Sequence, residues 1–110
     1  MKTVVVLNQD QMGHGDRALG QKILATFLRK SLALGSLRAI VLYNSGVRLV
    51  TKDSPVLAEL AQLHEAGVDI RPCGTCLEAL ELAASVAVSK PSNMDEIVAE
   101  LAAAEKVITL

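Results

Sequence analysis

Short blocks of β-branched and aliphatic residues alternate along the chain with longer segments in which apolar residues recur every three or four positions. Lys2 to Leu7 is an unbroken β-branched run with little polar alternation, the pattern of a strand buried on both faces. A polar loop from Asn8 to about Gly15 follows. Asp16 then reads as the N-cap of a long helix on which Leu19, Ile23, Leu24, Phe27, Leu28 and Leu32 share the apolar face, and Gly35 as its stop. Leu37 to Tyr43 predicts a second buried strand, and Asn44 to Asp53 a loop with a short extended piece at Val47 to Val50. Ser54 and Pro55 predict the N-cap and first residue of a helix lined by Leu57, Leu60, Ala61 and Leu63 and closed by Gly67.

The remaining segments continue the alternation. Val68 to Arg71 predicts a third strand, Thr75 to about Ala83 a short helix, and Ser85 to Val88 a fourth strand. Ser92 with Asp95 three residues on is a capping-box signal for a last helix whose buried face is Ile97, Val98 and Leu101. Lys106 to Leu110 predicts a fifth strand. The expected architecture is therefore a single α/β domain over residues 1–110. It is a flavodoxin-like or Rossmann-like three-layer arrangement with a mainly parallel five-stranded sheet and right-handed crossovers. In such sheets ligands gather at the carboxyl ends of the strands. That singles out the loops Asn8–Gly15, Asn44–Asp53 and Pro72–Thr75.

Composition narrows the function. Of 110 residues, 51% are hydrophobic but only 2% aromatic, so the core must be built from Leu, Val, Ile and Ala. With 11 basic and 12 acidic side chains there is no basic block to track phosphates and no aromatic platform for stacking bases, which argues against nucleic acid as a partner. No apolar stretch approaches the roughly 18 residues needed to cross a bilayer, and no secretory leader pattern is visible, so a membrane is not an expected partner and a cytoplasmic protein is the expectation. There thiols stay reduced, and a cysteine pair is more often reactive or metal-binding than a structural staple.

The only two cysteines stand in Pro72-Cys73-Gly74-Thr75-Cys76, between a predicted strand and a predicted helix. Thr75 with Glu78 matches a capping box, which puts Cys76 at the first helical position and Cys73 just outside. Free N–H groups at a helix start favour a thiolate, the nucleophilic form, and Gly74 lets another group approach the backbone. Three readings stand side by side: two buried small hydrophobes, half of a zinc site, and a reactive thiol pair. Zinc is disfavoured because one CxxC supplies two of four ligands and neither His14 nor His64 has ligand-pair spacing, so no metal is expected. A thioredoxin-like dithiol shares the spacing, but here the motif follows the third strand and no aromatic precedes it.

Two further loops carry candidate residues. Gly13-His14-Gly15-Asp16 lacks the Gly-Lys-Ser/Thr of a P-loop and reads first as a glycine turn with an N-cap. Its place in the topology makes it a candidate wall of the cysteine pocket, with His14 a candidate proton-transfer group. Asn44-Ser45-Gly46 is a turn by composition and a second candidate wall, offering hydrogen-bond donors to a thiol or anion. Gly74 and Thr75 complete this candidate pocket.

Taken in order, Met12-Gly13-His14-Gly15-Asp16 with Leu19-Gly20, Tyr43-Asn44-Ser45-Gly46-Val47, Cys73-Gly74-Thr75-Cys76-Leu77, Ser92-Asn93-Met94 and the ending Lys106-Val107-Ile108-Thr109-Leu110 resemble the DsrE-like domains, most closely the DsrE-like domain of YedF-type selenium-metabolism or sulfur-transfer proteins. The resemblance covers nearly the whole chain. It implies a sulfur-relay role in which sulfur travels as a cysteine persulfide, with Cys73 in the place of the carrier cysteine and Cys76 as the thiol that resolves the persulfide. It also implies a homo-oligomer and no organic cofactor. YedF proteins usually carry a TusA-like domain ahead of this one. The residues here hold only the DsrE-like part, so a TusA-like carrier in trans is the expected partner. The alternatives are a thiol–disulfide oxidoreductase, and a non-catalytic oligomeric module that binds a small anion or nucleotide at Gly13–Asp16.

Overall fold

The β-branched block at the start of the chain becomes the centre of the sheet. In the computed structural model, which describes residues 2–110, Thr3–Leu7 forms strand β1 with every residue buried. Leu37–Leu42 (β2) lies on one side of it and Lys106–Thr109 (β4) on the other, with Asp69–Pro72 (β3) beyond β2. The order is β3-β2-β1-β4 and every pairing is parallel. A central parallel strand is covered on both faces, which is why β1 and the second half of β2 carry no polar alternation.

Helices Arg17–Lys30 (α1) and Leu57–Glu65 (α2) connect β1 to β2 and β2 to β3. Gly74–Ala79 (α3) and Met94–Ala103 (α4) lie in the return connection from β3 to β4. The chain steps one way across the sheet and then comes back past β1, so right-handed crossovers put α1 and α2 on one face and α4 on the other. The register agrees. Val4, Val6, Ala39, Val41 and Arg71 share a face. Arg71 on that face reaches Glu100 at 3.3 Å and Glu96 at 3.3 Å on α4, and Lys2 reaches Glu100 at 3.7 Å. Glu100 is buried, and the two cations compensate its charge.

Among the described residues the sheet has four strands, not five. The run Ser85–Val88 does not join it. Ala83–Ser85 is a 3-10 turn, and Val86 makes only an isolated antiparallel bridge with Thr51. Ser89 then takes a left-handed φ of 66°, which breaks an extended chain, while its hydroxyl donates to the Ile70 carbonyl at 2.6 Å. The backbone of the run thus bonds to Val50 and Lys52 instead of to the sheet, and Ser89 ties the chain that follows to the edge of β3. The stretch Asn44–Val50, expected to be loop and partly extended, is a 3-10 segment. Gly46 lets it lie against the end of β1, because a Cβ there would collide with the Leu7 carbonyl.

Helix α1 starts where the sequence places it, with the Asp16 carboxylate accepting from the Leu19 N–H at 2.7 Å. Its buried stripe is narrower than the periodicity suggests. Gly20, Leu24 and Leu28 are the buried residues, whereas Leu19 is 56% and Ile23 41% exposed. Gly20 allows this, since a Cβ would stand 2.8 Å from Gln11 Cβ. Leu32 and, on α4, Val98 are likewise exposed. Two other helix starts are displaced. Ser54 Oγ accepts from the Val56 N–H, and α2 begins at Leu57. Asn93 rather than Ser92 caps α4, because the backbone of Ser92 is bonded to Pro72 and Gly74 beside the cysteine motif.

Two stability outcomes follow. Leu24→Ala should cost about 2–5 kcal/mol and Leu19→Ala no more than about 0.5 kcal/mol in urea unfolding, although the heptad pattern ranks them alike. Gly46→Ala should destabilise by more than about 2 kcal/mol, since the backbone it would strike cannot move without shifting β1. Equal midpoints for Leu24→Ala and Leu19→Ala would show that α1 packs with another face.

Candidate functional site

The handover from β3 to α3 fixes both cysteines. The Cys73 N–H donates to the Leu42 carbonyl at 2.8 Å, extending the β2–β3 ladder by one residue, and Cys73 also bridges Ser92. Cys73 is therefore still extended (φ −62°, ψ 120°) and serves as the N-cap of α3. The Thr75–Glu78 capping box does not form. Ser92 already accepts from the Gly74 N–H at 2.9 Å, so the helix begins at Gly74, and Cys76 is its third residue rather than its first. Gly74 is needed for this contact, because a Cβ would stand 2.7 Å from the Ser92 carbonyl. It admits the chain's own backbone, not a ligand.

The two thiols, both free, differ in access. Cys73 is only 2% exposed and belongs to the hydrophobic core. Cys76 is partly exposed and lines an open cavity of about 230 Å³ together with Asn44, Thr75, Ala79 and Leu80. The walls are mainly apolar side chains of α3 and the turn after it. Asn44, held at a left-handed φ of 53°, aims its backbone N–H at Cys76 Sγ across 3.1 Å. Ala79 and Leu80 were not singled out from the sequence, yet positions three and four after Cys76 share its helix face, so the spacing carried that signal.

A lowered Cys76 pKa, expected for the first helical position, is not what the surroundings produce. Burial pushes the Cys76 thiol up, the Asn44 N–H pulls it down, and the hydrogen bond and charge interaction with Cys73 push it up again. The net direction is up, so near neutral pH Cys76 is held as the thiol.

The other sequence candidates divide. Asn44 and Thr75 meet Cys76; Ser45 is partly buried and does not line that cavity, and Gly46 is committed to packing on β1. Gly13, His14, Gly15 and Asp16 are all exposed. His14, Gly15 and Asp16 border a different hollow with Met12, Leu19 and Ile23, which shares no lining residue with the cysteine cavity. Among the described residues no group of three or more His, Cys, Asp or Glu is placed to hold a metal ion, and no helix is long and apolar enough to cross a membrane.

The upward push from Cys73 can be measured. Cys73→Ala should lower the apparent pKa of Cys76, so that iodoacetamide labelling across an alkaline pH series reaches half-maximal rate at lower pH than in the wild type. An unchanged or higher midpoint would show that Cys73 does not raise the Cys76 pKa.

Comparison with known proteins follows the fold. The model of the DsrE/DsrF-like family matches residues 1–110. Among solved structures, the YchN protein of E. coli superposes with a TM-score of 0.72 at 17% identity, covering 99% of this chain and 98% of that one. MTH1491 of Methanobacterium thermoautotrophicum, a protein of unknown function, gives 0.73 at 22% identity with 99% and 98% covered. BT1422 of Bacteroides thetaiotaomicron, also of unknown function, gives 0.67 at 18% identity with 99% and 95% covered. Among curated proteins no sequence matches the chain. At these identities the structural likenesses speak for the fold alone, whereas the family match spans every residue: the chain belongs to the DsrE/DsrF-like family.

Proposed function

We propose that this protein carries sulfur as a cysteine persulfide, with Cys76 as the thiol that meets the donor and Cys73 as its buried partner. The observation that carries this reading is the placement of Cys76 Sγ in an open cavity under the Asn44 N–H, with the second thiol beside it. The resemblance put the carrier role on Cys73. Its burial in the core favours the reverse order, because an incoming persulfide must reach the sulfur along the S–S axis.

In the loading step the Cys76 thiolate attacks the sulfane sulfur of a donor persulfide. The donor S–S bond breaks, a new S–S bond forms on Cys76, and the donor leaves as a thiolate that takes up the proton Cys76 lost. No net oxidation occurs. Delivery to an acceptor thiol is the same exchange in reverse. The Asn44 N–H stabilises negative charge on Cys76 Sγ while it attacks and again while it leaves. A TusA-like carrier in trans is the partner the resemblance implies, and the apolar rim at Ala79 and Leu80 suits a protein surface better than a free, highly charged metabolite.

A second reading rests on the same neighbours. Thiols close enough to interact can close a disulfide, as in a dithiol–disulfide oxidoreductase. Intact-mass measurement after incubation with glutathione persulfide separates the two. Under the carrier reading the wild type and Cys73→Ala gain one sulfur atom and Cys76→Ser gains none. Loss of two hydrogens without sulfur gain would favour the oxidoreductase, and loading of Cys76→Ser to the wild-type extent would overturn the assignment to Cys76.

A further inference from the structure

A second cavity, of about 180 Å³, opens at the carboxyl ends of β1 and β2, the end of a parallel sheet where ligands bind. It shares no lining residue with the Cys76 cavity, although both border the 3-10 segment Asn44–Val50, one at each end. Its charged residues are Asp10, Arg17, Arg48 and Asp53. Asp10 is buried (8% exposed), and its carboxylate is already held by Arg17 at 2.7 Å, so that pair is internally satisfied. Arg48 and Asp53 differ: among the described residues neither side chain has an ion-pair or hydrogen-bond partner. Two successive turns, Thr51 N–H to the Arg48 carbonyl at 3.2 Å and Ser54 N–H to the Thr51 carbonyl at 3.0 Å, bring them round one hollow. Leu49, Pro55 and Leu82 give it an apolar wall.

We propose that this cavity binds a free α-amino acid with a short apolar side chain. An uncommitted guanidinium matches a carboxylate, and an uncommitted carboxylate matches an ammonium group. A simple anion would satisfy only Arg48, and a simple amine only Asp53. The volume lies below the range of about 300–1,000 Å³ typical of sites for drug-sized ligands, which suits an amino acid of few atoms better than a nucleotide. The site is independent of the sulfur chemistry, so it stands or falls separately from the persulfide reading.

The test uses three small probes: L-alanine, propionate, which is alanine without its ammonium, and ethylamine, which is alanine without its carboxylate. Each is titrated into ¹⁵N-labelled protein while amide shifts are followed. L-Alanine should saturate shifts at Asp10 and across Arg48–Ser54, with propionate and ethylamine each at least about tenfold weaker. Arg48→Gln and Asp53→Asn, both at exposed positions whose loss leaves the core intact, should each weaken L-alanine by about tenfold or more, whereas Cys76→Ser should bind as the wild type does. Propionate binding as tightly as L-alanine would reduce the site to an anion site and overturn the proposal. So would non-saturating shifts with L-alanine, or wild-type affinity in both charge variants.

Discussion

The hydrogen bond from the Cys73 N–H to the Leu42 carbonyl carries the β2–β3 ladder one residue past the end of β3. Everything at the cysteine site depends on it. By keeping Cys73 in the extended register it sends that side chain into the core and makes Cys73, not Thr75, the residue from which α3 starts. The helix then turns Cys76 out to the cavity. Ser92 closes the arrangement from the other side, accepting from Gly74 and donating to Pro72. Gly74 is the one residue that allows that backbone so close.

The same ladder explains why a symmetrical-looking motif yields two unlike thiols. Cys73 lies among the aliphatic side chains of the core, out of reach of a partner's sulfur. Cys76 is pushed toward the neutral form by burial and then by Cys73 beside it, yet it receives the Asn44 N–H, whose donation favours the thiolate. A thiol held neutral at rest but provided with a donor for its anion is suited to exchange with a docked partner. It is poorly suited to indiscriminate reaction with small oxidants.

The structure also separates two loops that the topology alone groups together. The loop at Gly13–Asp16 turns away to cap α1 and border a shallow hollow. The 3-10 segment Asn44–Val50 presents Asn44 to the thiol at one end and Arg48 to a polar cavity at the other. That segment can occupy this place because Gly46 lies flat against the carbonyl of Leu7 at the end of β1.

The sequence by itself determined the α/β alternation, the central strands Thr3–Leu7 and Leu37–Leu42, the Asp16 cap and the place of the cysteine pair where a strand hands over to a helix. Each is local: β-branched runs, a side chain three residues from the N–H it accepts, two thiols three apart. Tertiary structure decided what those local signals cannot encode. The run Ser85–Val88 has strand composition, but its backbone bonds to Val50 and Lys52 instead of to the sheet, and Ser89 then leaves the extended conformation. Leu19 has the same periodicity as Leu24, but Gly20 rotates the buried stripe of α1 away from it. The strand-to-helix position of Cys73 was legible, but its burial was not. Which of two thiols faces solvent depends on a hydrogen bond to Leu42, thirty-one positions away along the chain.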